Sequence, residues 1–252
     1  MVYWLVLGAG ILLQVVLLIR APVAGLFRRY YFFYIYLLSA TITALGGLAV
    51  LLVWPGFYSK WYWITQLATL VLGYGILLEV LNHVLVPYPG AERFARFSGM
   101  VAFGAIFLFA LIAPRIMPRW SPGTVIEFER DVRCVQAIFI FGLLALVTYY
   151  GIPIGRNMKG MVLGYGLYIV TSLMSLAERS YAGPSFTKIW SVVQPLSFDV
   201  SLTIWLVALW SYCPNPEPDS TIPLEQDYEA LVARTKSVMD TIRGYFRKAE
   251  RA

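Results

Sequence analysis

The sequence predicts an all-α integral membrane protein: a bundle of seven transmembrane helices followed by a cytoplasmic amphipathic helix. Three observations lead there. Of 252 residues, 59% are hydrophobic and 13% charged, with a mean hydropathy of +0.69, outside the range of ordinary water-soluble domains. The apolar residues fall into seven long runs. A crossing helix needs about 20 such residues, because the bilayer interior offers no partner to backbone N–H and C=O groups. After Cys213 the composition changes abruptly, through PNPEPDSTIP, to a charged segment of helical period.

The first run, Val2 to Ile19, has no basic residues before it and no small-residue cleavage pattern after it, so it reads as a retained helix rather than a removable signal. Tyr31 to Val53 is the second, and Trp61 to Val86 the third, with PYPG turning the chain. The fourth, Ser98 to Ala113, has 16 residues, near the lower limit for a span. The stretch from Pro114 to Asp131, PRIMPRWSPGTVIEFERD, mixes prolines, Gly123 and charges and reads as a surface loop with interfacial Ile116, Met117 and Trp120. Val132 to Pro153, Lys159 to Arg179 and Ile189 to Cys213 complete the set, and Pro195 is expected to kink the last. Trp61, Trp63, Trp190, Trp210, Tyr30 and Tyr31 fall near these ends, where amphipathic rings favour the headgroup region.

The chain thus divides into a membrane domain, 1–213, and a tail, 214–252. In the tail Leu224, Tyr228, Leu231, Thr235, Val238, Ile242 and Tyr245 recur at spacings of four and three. Pro223 suits a first helical position, Glu225, Asp227 and Glu229 the positive end of the dipole, and Arg243, Arg247, Lys248 and Arg251 the negative end. Leu224, Tyr228, Leu231, Val238 and Ile242 are the candidate partner contacts; an anionic membrane surface competes for the same stripe.

Orientation follows the basic residues. None precedes the first run, and Arg20, Arg28 and Arg29 follow it, which places the N-terminus outside and, after seven crossings, the C-terminus inside. The loops alone divide their basic residues equally between the two sides; the tail decides. Arg156 and Lys159, in the turn GIPIGRNMKG, are candidates for holding a lipid headgroup or for ordinary anchoring. VLGYG occurs at Val71 to Gly75 and again at Val162 to Gly166, which suggests either an inverted repeat or close helix packing at small residues.

Ionisable groups inside a bilayer are functional candidates by default, since one at a helix centre costs about 2.5–3.5 kcal/mol on insertion scales. Asp199 stands out, about ten residues from either end of its run, with no Lys or Arg at the middle of any predicted helix. A structural hydrogen bond and a functional site are equally good readings of it. Glu79 and His83 share a helix face at a spacing of four, with Asn82 beside them. Such a pair can orient an imidazole, share a proton, or supply two metal ligands that would still need a third. An interfacial His with a snorkelling Glu explains it as well. Gln194 joins the intramembrane polar candidates.

No phosphate-binding Gly-rich loop, paired-cysteine motif or Ser triad is present, so enzyme is the minority reading, and no metal site or cofactor is expected. Seven helices and FDVSLT are superficially similar to microbial rhodopsins, but the position four after Asp199 is Thr203, and no lysine lies mid-helix to carry covalent retinal. The stretches FRRYYFFYIYLL, residues 27 to 38, and YSKWYWITQLATLVLGYGILLEVLNHVLVPYPG, residues 58 to 90, resemble a family of bacterial polytopic membrane proteins without an assigned activity. The resemblance implies a bacterial inner-membrane location and transfers no site residues. The expected role is non-catalytic: a sensory, scaffold or accessory subunit that contacts lipid and a protein partner or a second copy, with no nucleic acid. The alternative is a small proton-coupled transporter using Asp199 with Glu79 and His83.

Overall fold

The computed structural model describes residues 2–116, 122–181, 184–217 and 223–249. Within them lie eight α-helices: α1 Val2–Val23, α2 Tyr31–Val53, α3 Tyr58–Leu85, α4 Pro89–Ile116, α5 Pro122–Tyr150, α6 Arg156–Tyr181, α7 Pro184–Ala208 and α8 Leu224–Ala249. A 3₁₀ turn, Pro55–Phe57, links α2 to α3. Five stretches are long and apolar enough to cross a membrane: Trp4–Val23, Tyr31–Val53, Lys60–Leu85, Phe128–Tyr150 and Arg156–Ala177. The apolar run in α7, Val192–Ala208, is shorter. The chain is an all-α, multi-pass membrane protein.

α3 lies at the centre, packed on α2, α4, α5 and α6; α7 sits between α1 and α6, and α2 joins α1 to α3. The core gathers Phe33, Tyr36 and Leu37 of α2, Ile76 and Val80 of α3, Met161 and Tyr165 of α6, and Trp205 of α7. Phe33 and Trp205 meet edge to face at 5.1 Å, an arrangement worth about 0.5–1.5 kcal/mol beyond area burial.

The start of the fourth helix, expected at Ser98, and the 114–131 loop both need correction. α4 begins inside PYPG, at Pro89, and α5 begins at Pro122, ten residues before the expected Val132. Each proline stands at the head of its helix, where a missing N–H costs nothing and a fixed φ is already helical. The supposed surface loop is therefore mostly two helix ends; residues 117–121, with Met117 and Trp120, lie outside the described residues.

The two VLGYG motifs touch, but not reciprocally. Gly73 of the first leaves room for the Tyr165 hydroxyl of the second, whereas Gly164 of the second makes room for Trp205 of α7. A two-fold repeat would have set Tyr74 against Gly164; Tyr74 instead packs on Phe103 of α4, 5.5 Å between centroids. Close packing at small residues explains the motif.

Candidate functional site

Glu79 is buried, 7% exposed, and its carboxylate faces the start of α2. One oxygen accepts the Phe32 N–H at 3.1 Å and the other the Phe33 N–H at 3.0 Å. A helix start leaves its first N–H groups without intrahelical partners, and Tyr30 at the cap position of α2 makes no side-chain cap bond. Glu79, from α3, supplies those acceptors.

His83 is not bonded to the Glu79 carboxylate. Its Nδ1 lies 2.8 Å from the Glu79 backbone oxygen, and its ring packs on Tyr30 at 5.3 Å. Burial, and then the nearby Tyr212, push the Tyr30 hydroxyl up to about 12, so it is a neutral phenol at ordinary pH. Asn82 Oδ1 is buried without a hydrogen-bond partner.

Around His83 the end of the bundle is laced together by the segment after α7. Asn215 donates to the His83 carbonyl at 3.0 Å and accepts the Gly155 N–H at 2.9 Å. Asn157, fully buried at the start of α6, donates to the carbonyls of Ala208 and Ser211, each at 3.0 Å, and accepts the Cys213 N–H at 2.5 Å. It thereby satisfies the Ala208 carbonyl, one of those that the end of α7 leaves open, and holds the segment that follows. Arg156 donates to the Ser211 hydroxyl at 2.7 Å, and the Lys159 side chain is exposed. Arg20 donates to the Trp210 carbonyl at 2.9 Å, while Arg29 lies over the Tyr212 ring at 3.7 Å.

Asp199 is elsewhere. It packs against α1, where a Cβ on Gly10 would stand 2.5 Å from Asp199 Oδ1. It is half-buried, and among the described residues its carboxylate makes no hydrogen bond; only its backbone oxygen accepts, from Thr203 at 2.8 Å. Gln194 belongs to a polar seam between α6 and α7, accepting from Ser175 at 2.8 Å, with Ser197 donating to Thr171 one turn on at 2.9 Å. Glu79 and Asp199 thus serve separate helix contacts. Among the described residues no three His, Cys, Asp or Glu side chains gather as metal ligands would.

Among the described residues the most buried charges are Glu129, expected in the loop before the fifth run, and Arg133, expected at its start. Glu129 and Arg133 form an ion pair at 2.9 Å, their side chains 7% and 3% exposed. The span Phe128–Tyr150 contains both. Gln66 of α3 donates to Glu129, and Arg133 reaches the Tyr168 hydroxyl of α6 at 3.4 Å. Gln136, one turn further, donates to the Leu70 carbonyl at 3.4 Å while its Oε1 is unpartnered. A signal existed: Glu129 and Arg133 are four apart, on the same face as Gln136 and Ile140, whereas Arg130 and Asp131 fall off that face.

The α8 stripe is divided. Leu224 is 5% exposed and part of the bundle core, Tyr228 packs on Phe94 of α4 at 6.5 Å, and Glu225 accepts the Gly90 N–H at 2.8 Å at the start of α4. Beyond them Leu231, Val238 and Ile242 are exposed, at 63%, 52% and 48%. Compared with protein-family models, with curated proteins and with solved structures, the chain matches none of them.

Proposed function

We propose that this is a non-catalytic, seven-span protein of the bacterial inner membrane, a scaffold, sensory or accessory subunit whose C-terminal helix is its protein-binding element. The observation that carries the reading is the distal half of α8, where Val238 and Ile242 are exposed beyond the part of the helix that the bundle holds. The hydrogen bonding of Glu79 supports it too: its two oxygens are engaged by α2 amides, the work of a helix cap rather than of a reaction centre.

Seven crossings are supported by the lengths of α4 and α7. With 28 and 25 residues they extend about 42 and 37 Å, more than the roughly 30 Å hydrocarbon core. The tie between Arg20 in the last turn of α1 and Trp210 just after α7 is consistent with α7 running in the same sense as α1. The basic residues then favour a cytoplasmic C-terminus, with Arg156 and Lys159 anchoring near lipid heads. The bacterial location rests on the resemblance of residues 27–38 and 58–90. The 1–213 and 214–252 division is one of composition, and Leu224 ties the tail to the bundle.

A proton-coupled carrier built on Asp199 with Glu79 and His83 fits less well, because these residues serve separate helix contacts. The test is site-specific photocrosslinking from Val238 and Ile242 in native membranes, with Gln226 as control. A discrete protein adduct at the first two positions and none at the control is expected. Absence of any adduct, together with pH-dependent flux in liposomes that Asp199→Asn abolishes, would transfer the assignment to the carrier.

A further inference from the structure

At the α8 end the bundle is open between α4 and α5, whereas further along Phe103 of α4 packs with Val132 and Val135 of α5. α4 rests on α3 and α8, and α5 rests on α3 and α6, so neither is the main neighbour of the other. The gap is a cleft of about 360 Å³ walled by Leu81 and Leu85 of α3, Phe94 and Ala95 of α4, and Ile138 and Gly142 of α5, with the first turns of α8 across one end. Its volume is within the range of small-molecule sites, but its walls are wrong for a water-soluble ligand. Away from the α8 end, Ser98 is the one polar side chain among the lining residues. At that end Tyr150 donates to Asp227 Oδ2 at 2.9 Å.

Dimensions narrow the occupant further. Along α5 the cleft runs from Tyr150 to Ile138, about 18 Å at 1.5 Å per residue, against about 15 Å for half of a 30 Å hydrocarbon core. Drawn out over that length, the cleft is long and slender, the shape of one extended polymethylene chain. Phe94 and Ile138 at its lip are 62% and 69% exposed, so the cleft opens sideways to the surrounding lipid.

We propose that this cleft holds one acyl chain of a bilayer phospholipid from the α8-side leaflet, with the head group at the Tyr150–Asp227 pair. The carboxylate at the mouth selects a head with N–H donors, so the lipid is a phosphatidylethanolamine rather than an anionic phosphoglycerol. Leu224 and Tyr228 of α8 form part of the wall, which makes the bound chain a filler between the tail helix and the bundle.

The test uses the full chain in phosphatidylcholine nanodiscs doped with phosphatidylethanolamine that carries a diazirine near the end of one acyl chain. After irradiation, label is expected on peptides containing Ala95 and Gly142, above the label on the lipid-facing side of α1 at Leu12 and Ile19. A Cβ on Gly142 meets nothing within 4 Å, so Gly142→Phe projects into open space. It should reduce cleft labelling to the α1 background and leave α1 labelling as it was. Ala95→Leu, from the facing wall, is the second variant should the first fail to fold. Cleft labelling no higher than α1, labelling unchanged in both folded variants, or equal labelling by a phosphatidylglycerol probe would overturn the proposal. So would a benzophenone at Ile138 that captures a second copy of the chain instead of lipid.

Discussion

The two sides of this bundle are held together differently. On the side formed by α1, α2, α3, α6 and α7, side chains reach from one helix to the backbone of another. Glu79 meets the start of α2, Asn157 the end of α7, Asn215 both the end of α3 and the start of α6, and Thr41 of α2 donates to Gln14 of α1 at 2.7 Å. On the side of α4 and α8, Glu225 on Gly90 and Tyr150 on Asp227 are the direct polar ties among the described residues, and a cleft opens beside the smaller core cluster around Phe103. In lipid, apolar contact between helices gains little over contact with acyl chains, so hydrogen bonds and close packing decide which helices stay together. The knitted side has the properties of a fixed frame, and the open side those of a looser contact between helices.

The largest effect is expected where α5 is tied to the knitted side, at the Glu129–Arg133 pair that Gln66 of α3 and Tyr168 of α6 contact. Arg133→Met leaves Glu129 buried without its partner and should cost about 3–5 kcal/mol, read as a drop in unfolding midpoint in detergent. Glu129→Leu combined with Arg133→Met should recover most of that loss, since it removes both charges; no recovery would mean that Gln66 and Tyr168 depend on the pair. Next comes Glu79→Ala, which strips the acceptors from two α2 amides and should cost about 1–3 kcal/mol per orphaned donor. Glu79→Gln, whose amide oxygen still accepts, should cost visibly less, and equal losses would show that the cap does not explain this residue.

On the open side the expectation is smaller and local. Glu225→Ala removes a cap on α4 worth about 0.5–2 kcal/mol, and should expose α8 to protease without moving the midpoint of the bundle. A global loss as large as that of Glu79→Ala would erase the distinction between the two sides. Smallest of all is Asp199→Asn. With no side-chain hydrogen bond to lose, it should stay within about 0.5 kcal/mol of the parent; a larger change would mean that its packing on Gly10 contributes more than its contacts suggest.

Much of the fold is legible in the sequence, because length and apolarity suffice to place α1, α2, α3 and α6. The tail helix is legible for a different reason, its period and its ordered charges. What misled was Glu129, Arg130, Asp131 and Arg133, four charges in five residues, which imitate a water-exposed loop. Charge alone does not indicate burial; the spacing of Glu129 and Arg133 on one face, continuous with Gln136 and Ile140, carries that information. Asp199 illustrates the opposite limit. Its depth in an apolar run made it the leading candidate, but the cost of a buried group depends on its neighbours, and those come from α1, far away in sequence. The capping role of Glu79 was hidden for the same reason, since no local pattern in α3 refers to the amides of Phe32 and Phe33.

Asn215 has a mechanical meaning as well as a chemical one. It fixes the chain against His83 and Gly155 just after α7, and Glu225 fixes it again at Gly90, at the start of α8. A load on the far end of α8 would meet the Glu225 contact on α4 first and the Asn215 contacts next, two hydrogen-bonded fixings ahead of α7.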